Sequence, residues 1–329
     1  MLEFVKRGVL GKDRTITPPP LPVVTEPKRV SIGLALGGGA ARGFAHIGVI
    51  KTLVAAGIRP EFIAGTSIGA VVGGLYAAGK LEEFESWALS LTRRRIFSYM
   101  DFTLAGSGLI GGTRLADNLL SETSAINIEH LPLKFAAIAT EIGTGHEIWL
   151  TRGRLADALS ASYALPGIFS PSKIGGRWLM DGALVNPVPV SATRAIGARL
   201  VIAVNLNADT FGRGTVIQDH GADDGEVAAP QAPAPTGLRD KAERMLRRQF
   251  LGTPGKPGFS TVMVEAFSVM QDRITRARLA GEPPDASISP RLGPIGFFDF
   301  HRAAETIQIG VEATEKCLDS IRESMKALA

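Results

Sequence analysis

The sequence predicts an α/β fold, a three-layer α/β/α sandwich with a mainly parallel central sheet. Short apolar segments of strand length alternate with helical segments from residue 29 to residue 206. The 38 glycines suit a fold with many tight turns between strands and helices. The chain has 329 residues, 45% of them hydrophobic and only 6% aromatic, which is enough apolar material for one large core.

The first elements follow one another as strand, glycine loop, helix, strand and helix. The apolar run from Arg29 to Leu36 predicts a buried strand that leads into the loop GGGAARG. Apolar residues then recur at helical spacing from Phe44 until Gly57, a typical helix stop. A second short strand, EFIAG, leads into GTSIGA and a helix of small residues. Because such connections join parallel strands, we expect helices on both faces of the sheet.

The later elements continue the alternation. LEEFESWALSLT, TRLADNLLSE and RLADALSASYAL predict helices, the last ended by Pro166. KFAAIAT, EIWLT, RWLMD and RLVIAVNL predict strands. Beyond these, the segment 259–279 predicts a helix, DASISP a short strand, and 300–328 a closing helix with Asp299 as its N-cap.

Composition divides the chain into four parts. Residues 1–28, with the proline-rich TITPPPLP, predict a flexible tail. Residues 29–206 form the predicted catalytic core. Residues 207–258, rich in Gly, Pro, Ala and Asp, predict a flexible insertion that contains a basic amphipathic helix, 238–250. Residues 259–329 predict a C-terminal helical segment that packs on the core.

Charge and cysteine content exclude several classes of protein. The net charge of +4 slightly favours an anionic surface as partner and is too small to indicate nucleic acid. Cys317 is the single cysteine, so no disulfide forms within the chain. We see no secretory signal, no apolar run long enough to span a membrane and no metal-ligand spacing. We therefore expect a cytoplasmic protein without a metal or a cofactor.

The stretch GTSIGA has the G-x-S-x-G pattern of a nucleophile elbow, with Gly65, Ser67 and Gly69 at its fixed positions. An apolar strand precedes it and a helix follows, which is the context that the motif requires. The alternative is a plain serine N-cap between two glycines. As a nucleophile, Ser67 would need a base to take its proton.

The loop GGGAARG resembles a phosphate-binding loop, but Arg42 stands where the dinucleotide motif needs its third glycine, and the Gly-Lys-Ser/Thr of a P-loop is absent. What remains is a run of backbone N–H groups at the start of a helix, which forms a nest for an anion. In an acyl-transfer enzyme, that anion is the oxyanion of the tetrahedral intermediate.

The base is not marked by any local pattern. Asp181 ends a predicted strand in DGALVNP, 114 residues after Ser67, where Asp-Gly could also be a simple turn. His46 follows the glycine loop and suits a structural role better than that of a base. The other histidines, His130, His146, His220 and His301, stand in no catalytic motif.

Taken in order, GGGAARGFAHIGVI, GTSIGA, SASYALPGIFSP and DGALVNP resemble the patatin-like phospholipase family. The resemblance covers residues 30–206 with high specificity and the segment from Phe259 onward with less. It implies a patatin-like sandwich and a Ser–Asp catalytic dyad. Ser67 would be the nucleophile and Asp181 the proton acceptor, while Gly37, Gly38 and Gly39 would offer the oxyanion hole and Arg42 would shape that loop. Gly43, Gly182 and Ala183 complete the matched motifs.

One feature departs from the plant-type pattern of the family. Two residues, Ala40 and Ala41, separate the third glycine from Arg42, where the plant-type pattern has one. Bacterial members commonly show this longer form. The resemblance implies a serine acyl hydrolase that cleaves lipid esters, either phospholipids or lysophospholipids.

Three other functions stay open on the sequence. The same acyl-enzyme could serve an acyltransferase. An ordinary triad hydrolase would need His220 or His301 as its base. A regulatory protein could keep the fold as a scaffold.

The segment 238–250 fits peripheral contact with the inner membrane surface, or else a solvated helix. The sequence does not predict an oligomeric state.

Overall fold

The computed structural model describes residues 30–99, 123, 125–209, 252–253 and 256–329. The predicted tail, the predicted helix TRLADNLLSE and the predicted basic helix 238–250 lie outside the described residues. The insertion predicted at 207–258 is described only at its two ends.

The element order follows the predicted alternation. The strands are β1 Ile32–Leu36, β2 Phe62–Thr66, β3 Lys134–Glu141, β4 Glu147–Leu150, β5 Ser172–Ile174, β6 Arg177–Asp181, β7 Leu200–Val204, β8 Gly252–Thr253, β9 Lys256–Pro257 and β10 Ala286–Ile288. The α-helices are α1 Ala45–Ala55, α2 Ile68–Ala77, α3 Leu81–Leu89, α4 Arg93–Tyr99, α5 Leu155–Ser162, α6 Val190–Ala195, α7 Phe259–Gly281, α8 Ala303–Glu315 and α9 Leu318–Leu328.

One central sheet organises the described residues. Its hydrogen-bonded neighbours follow the path β10, β7, β1, β2, β3, β6, β5, and β4 also pairs with β3. The five strands from β10 to β3 are parallel, whereas β4, β5 and β6 join in antiparallel fashion. The strands β8 and β9 form a separate hairpin. The prediction of a mainly parallel sheet is confirmed.

Helices cover both faces of this sheet because successive side chains of each strand point to opposite sides. Leu34 and Leu36 of β1 belong to the large core cluster that includes Ile47 of α1 and Val72 of α2. Ala35, between them, packs on the other face in a cluster with Val190 of α6. The three-layer α/β/α sandwich predicted from the sequence is therefore present.

Three strands share the two edges of β3. The strand β4 pairs with residues 137–140 of β3. This stretch overlaps the residues of β3 that pair with β2, 134–138, and those that pair with β6, 139–141. Two strands cannot pair with the same residue on the same edge, so β4 takes one edge alone. It follows that β2 and β6 lie end to end along the other edge, running toward each other.

The C-terminal segment differs from its prediction in two respects. The closing helix is divided into α8 and α9, and a 3₁₀ turn, Phe300–Arg302, precedes α8. Asp299 does not cap a helix with its side chain, because its Oδ2 accepts a hydrogen bond from the amide of Gly296 at 2.9 Å. The segment also supplies β10, a strand at the edge of the central sheet. Among the described residues, no helix has both the length and the hydropathy for a bilayer crossing.

Candidate active site

Ser67 stands on a sharp turn between β2 and α2. Its backbone has φ 55° and ψ −126°, in the left-handed half of the map that non-glycine residues rarely adopt. The flanking glycines make this turn feasible. A Cβ on Gly69 would overlap the carbonyl oxygen of Leu36, and a Cβ on Gly65 would lie 2.5 Å from the amide nitrogen of Ala70. The G-x-S-x-G spacing thus corresponds to two close backbone approaches around Ser67.

A buried serine holds the backbone of this turn. The amide of Ser67 donates to Oγ of Ser162 at 2.9 Å, and that hydroxyl donates to the carbonyl of Ile138 at 2.6 Å. Ser162 is the last residue of α5 and is fully buried. Through this bridge, α5 and β3 together fix the position of Ser67.

Asp181 lies beside Ser67 at the end of β6. Oγ of Ser67 donates to Oδ2 of Asp181 at 2.6 Å, and the amide of Ala183 donates to Oδ1 at 2.8 Å. The backbone approaches closely here as well, since a Cβ on Gly182 would overlap the carbonyl oxygen of Ile138. The structure therefore brings the two predicted catalytic side chains into direct contact.

The environment of Asp181 changes its acidity. The residue is 1% exposed, and burial raises its pKa from 3.8 to about 7, although the hydrogen bonds from Ser67 and Ala183 act in the opposite direction. A carboxylate with a pKa near neutrality is a much stronger proton acceptor than an ordinary one. Burial thus supplies the basicity that a Ser–Asp pair would otherwise lack.

The glycine loop lies next to this pair, but its three amides are not equivalent. The amide of Gly37 donates to the carbonyl of Val204 at 3.1 Å, and that of Gly38 to the carbonyl of Pro187 at 3.0 Å. Among the described residues, the amide of Gly39 has no acceptor. The expectation that all three amides face an oxyanion is therefore corrected, because pairing between β1 and β7 extends one residue beyond β1 and holds Gly37.

The side chain of Arg42 connects the same loop to two other segments of the chain. Its Nε donates to the carbonyl of Ile295 at 2.9 Å and its Nη1 to Oδ1 of Asn207 at 3.1 Å. The guanidinium is buried, and desolvation lowers its pKa below the ordinary value. Gly43 follows at a point where a Cβ would overlap the side chain of Ile68. These contacts support the prediction that Arg42 shapes the loop.

The described histidines are not placed to act as a base for Ser67. His46 is fully buried, and its Nε2–H donates to the carbonyl of Gly37 at 2.8 Å. Burial lowers its pKa to about 4, so the ring is neutral at physiological pH. His130 and His146 are exposed, and His301 accepts a hydrogen bond from Nε of Arg93 at 3.1 Å. His220 lies outside the described residues.

Three polar residues of the site were not predicted from the sequence. Ser162, Asn207 and Gln271 are all buried, and hydrogen bonds tie each of them to the loop, the elbow or one another. Asn207 falls in the range predicted as a flexible insertion, and its burial places it with the core instead. The only signal in the sequence was a polar residue at an apolar position. In the described part of the chain, no cluster of His, Cys, Asp and Glu could hold a metal ion.

Comparison with known proteins gives one family. Residues 34–194 match the family model of patatin-like phospholipases. An uncharacterized NTE family protein of Mycobacterium tuberculosis (strain H37Rv) is 32% identical, and the match covers 88% of this chain and 91% of that protein. Lysophospholipase NTE1 of Coccidioides immitis is 28% identical over 89% of this chain but only 18% of its own length.

A comparison of structures finds more distant similarity. VipD from Legionella pneumophila aligns with a TM-score of 0.43 and 14% identity, and the alignment covers 89% of this chain and 67% of that chain. The effector protein ExoU aligns with a TM-score of 0.40 and 11% identity over 91% of this chain and 54% of that chain.

Proposed function

Because this chain belongs to the patatin-like phospholipase family, we propose that it is a serine acyl hydrolase that cleaves carboxylic esters of lipids through an acyl-enzyme on Ser67. The observation that carries the proposal is the 2.6 Å hydrogen bond from Oγ of Ser67 to Oδ2 of Asp181. The substrate class is a phospholipid or a lysophospholipid. The name of one relative, a lysophospholipase, supports this class.

In the first half of the reaction, Oγ of Ser67 attacks the ester carbonyl carbon while its proton passes to Oδ2 of Asp181. Asp181 then gives that proton to the leaving alcohol as the carbon–oxygen bond breaks. The hydrogen bond already present supports a direct transfer, and the pKa of about 7 suits a group that must both accept and return a proton near neutral pH.

Negative charge on the carbonyl oxygen needs hydrogen-bond donors in place before the reaction. The amide of Gly39 supports this role, since it has no acceptor among the described residues. Helix α2 begins at Ile68, directly after the nucleophile, so the positive end of its dipole also lies at Ser67. Gly37 and Gly38 would hold the loop in shape through their bonds to Val204 and Pro187.

In the second half, a water molecule attacks the acyl-enzyme. Asp181 takes a proton from this water, the carbon–Oγ bond breaks, and the proton returns to Ser67. The protein regains its starting state, and the fatty acid leaves. No metal or cofactor takes part in this scheme, because one serine and one carboxylate carry every proton and every bond.

Labelling with a fluorophosphonate probe tests the proposal. The probe phosphorylates activated serines, and mass spectrometry of the digested protein locates the modified residue. We expect the label on Ser67 and none on the Ser67→Ala variant. Ser90→Ala, which removes an exposed hydroxyl on the surface, is the matched control and should label as the parent does. A parent protein that stays unlabelled and hydrolyses no ester would refute the proposal.

We further propose that the protein contacts lipid surfaces through the basic segment 238–250, which the sequence predicts to be an amphipathic helix. The test is co-sedimentation of the full chain with vesicles of anionic phospholipid. A double variant that carries Arg247→Glu and Arg248→Glu should pellet less than the parent, and Arg93→Glu, on helix α4, is the control. Equal pelleting of all three proteins would exclude a role for this segment.

A further inference from the structure

Gly38 has an unfilled space in place of a side chain, and the nucleophile borders it. The position that a Cβ would take on Gly38 lies 3.5 Å from Cβ of Ser67 and 3.5 Å from Cβ of Ala183. The third neighbour is Nε2 of Gln271, at 3.4 Å. The side-chain amide of Gln271 and the nucleophile therefore face the same small space beside the oxyanion loop.

Gln271 is an unusual residue for such a place. It lies on α7, is 2% exposed, and its Oε1 accepts a hydrogen bond from Nδ2 of Asn207 at 3.4 Å. Its Nε2 group donates to no residue in the part of the chain that the structure describes. An amide nitrogen that donates to no described residue is available as a donor to a bound molecule.

The direction of the Gln271 amide follows from Arg42. A guanidinium can only donate, so its bond to Asn207 makes Oδ1 of Asn207 the acceptor and leaves Nδ2 as the donor. That Nδ2 donates to the carbonyl of Gly38 at 3.2 Å and to Oε1 of Gln271. With Oε1 turned to Asn207, the Nε2 group of Gln271 is left to face the space over Gly38.

We propose that Gln271 is a catalytic residue whose Nε2 donates a hydrogen bond to the carbonyl oxygen of the lipid ester as that oxygen becomes negatively charged. This inference rests on the proposed hydrolase function and extends its oxyanion hole from the backbone to a side chain on α7. Gln271 exchanges no proton and forms no covalent bond with the substrate. Asn207 is a positioning residue, since it aims the amide of Gln271 without reaching the ester.

The test compares two substitutions at residue 271 in the full chain, with p-nitrophenyl butyrate as substrate. Gln271→Glu keeps the volume and the acceptor toward Asn207 but removes the donor. Gln271→Met removes the donor without adding a charge. Each should lower kcat/KM about 100-fold, the usual cost of one oxyanion donor. The loss should appear in kcat rather than KM, because the bond strengthens only in the transition state.

Thr275→Val is the matched control. Thr275 lies one turn further along α7 and is equally buried, and its hydroxyl has no hydrogen-bond partner among the described residues. Its substitution should leave kcat unchanged. The Tm of every variant should stay near that of the parent, and the rate of fluorophosphonate labelling should fall with kcat only at residue 271.

Four outcomes overturn the inference. Rates of both residue 271 variants within about two-fold of the parent would show that Nε2 contributes nothing. A loss confined to Gln271→Glu would indicate charge repulsion alone. A rise in KM with kcat unchanged would show that Gln271 binds the ester equally in the ground state and in the transition state. Each of these leaves Ser67 labelled and the hydrolase function intact, whereas a parent that neither labels nor hydrolyses refutes both proposals.

Discussion

Thr66 and Asp181 pair with consecutive residues on one edge of β3, Thr66 with Ile138 and Asp181 with Ala139. The ends of β2 and β6 therefore meet at a single point, although 114 residues separate Ser67 from Asp181. Ser67 follows Thr66 directly, so the meeting of the two strands places its hydroxyl on the carboxylate. The backbone register of the sheet thus aligns the proposed dyad.

Removal of either member of the dyad should abolish ester hydrolysis. Ser67→Ala lacks the nucleophile and Asp181→Asn lacks the base, so each should lower kcat at least about 10³-fold. His46→Gln should retain most of the rate, since the new amide can still donate to the carbonyl of Gly37. Release of p-nitrophenol from a short-chain ester measures all three. Full activity in either dyad variant would contradict the assignment.

The pH dependence of the reaction should follow Asp181. Only its ionised form accepts a proton, and burial raises its pKa to about 7. We expect kcat/KM to fall as the pH drops below about 7 and to reach a plateau above it. The measurement is initial rate at low substrate concentration across the pH range. A profile that stays flat down to about pH 5 would show that the base titrates much lower.

Asp181→Asn should make the fold more stable in alkaline solution. The folded state holds the Asp181 proton more tightly than the unfolded state, whose pKa lies near 3.8. The stability from this group is fully present below pH 3.8 and is lost as the pH rises through about 7. The variant has no charge to bury, so its Tm should exceed that of the parent by about 2 °C or more above pH 7. Differential scanning calorimetry at about pH 5 and about pH 8 checks this, with the larger difference expected at the higher pH.

Two neighbouring glycines should respond differently to alanine. A Cβ on Gly38 meets its nearest atoms at 3.4 and 3.5 Å, which is ordinary contact, so Gly38→Ala should fold with a parent-like Tm. The new methyl group would nevertheless fill the space beside Ser67 and lower kcat/KM. A Cβ on Gly37 would lie 2.9 Å from the carbonyl oxygen of Val204, so Gly37→Ala should lower Tm as well. Parent-like activity of Gly38→Ala would show that substrate does not use this space.

Ser162→Ala should loosen the nucleophile turn. The substitution leaves the buried amide of Ser67 without an acceptor, which costs about 1–3 kcal/mol of unfolding free energy. We expect a lower midpoint in urea denaturation and a reduced kcat, because the same amide positions Ser67. Ser268→Ala is the control, a buried serine on α7 whose hydroxyl donates to the carbonyl of Val264 in the same helix. Equal effects of the two substitutions would show that the bridge to Ser67 is unimportant.

Local sequence determined much of this protein. The apolar runs that became β1, β2, β3 and β7 were recognisable because a strand buried on both faces needs an unbroken apolar sequence. The turn at Ser67 was recognisable because Gly65 and Gly69 allow close approaches within a few residues. The closing helix was harder to predict, since its division after Glu315 has no proline or glycine to mark it.

Other features depended on contacts between distant parts of the chain, which only the tertiary structure decides. The amide of Gly37 is engaged by Val204, and Asn207 and Gln271 reach the loop from positions far along the sequence. Burial, which comes from the packing of the whole core, makes Asp181 basic and keeps His46 neutral. Local glycine spacing pointed to Ser67 and the family resemblance to Asp181, whereas hydrogen-bond partners and desolvation arise from the folded sheet and its helices.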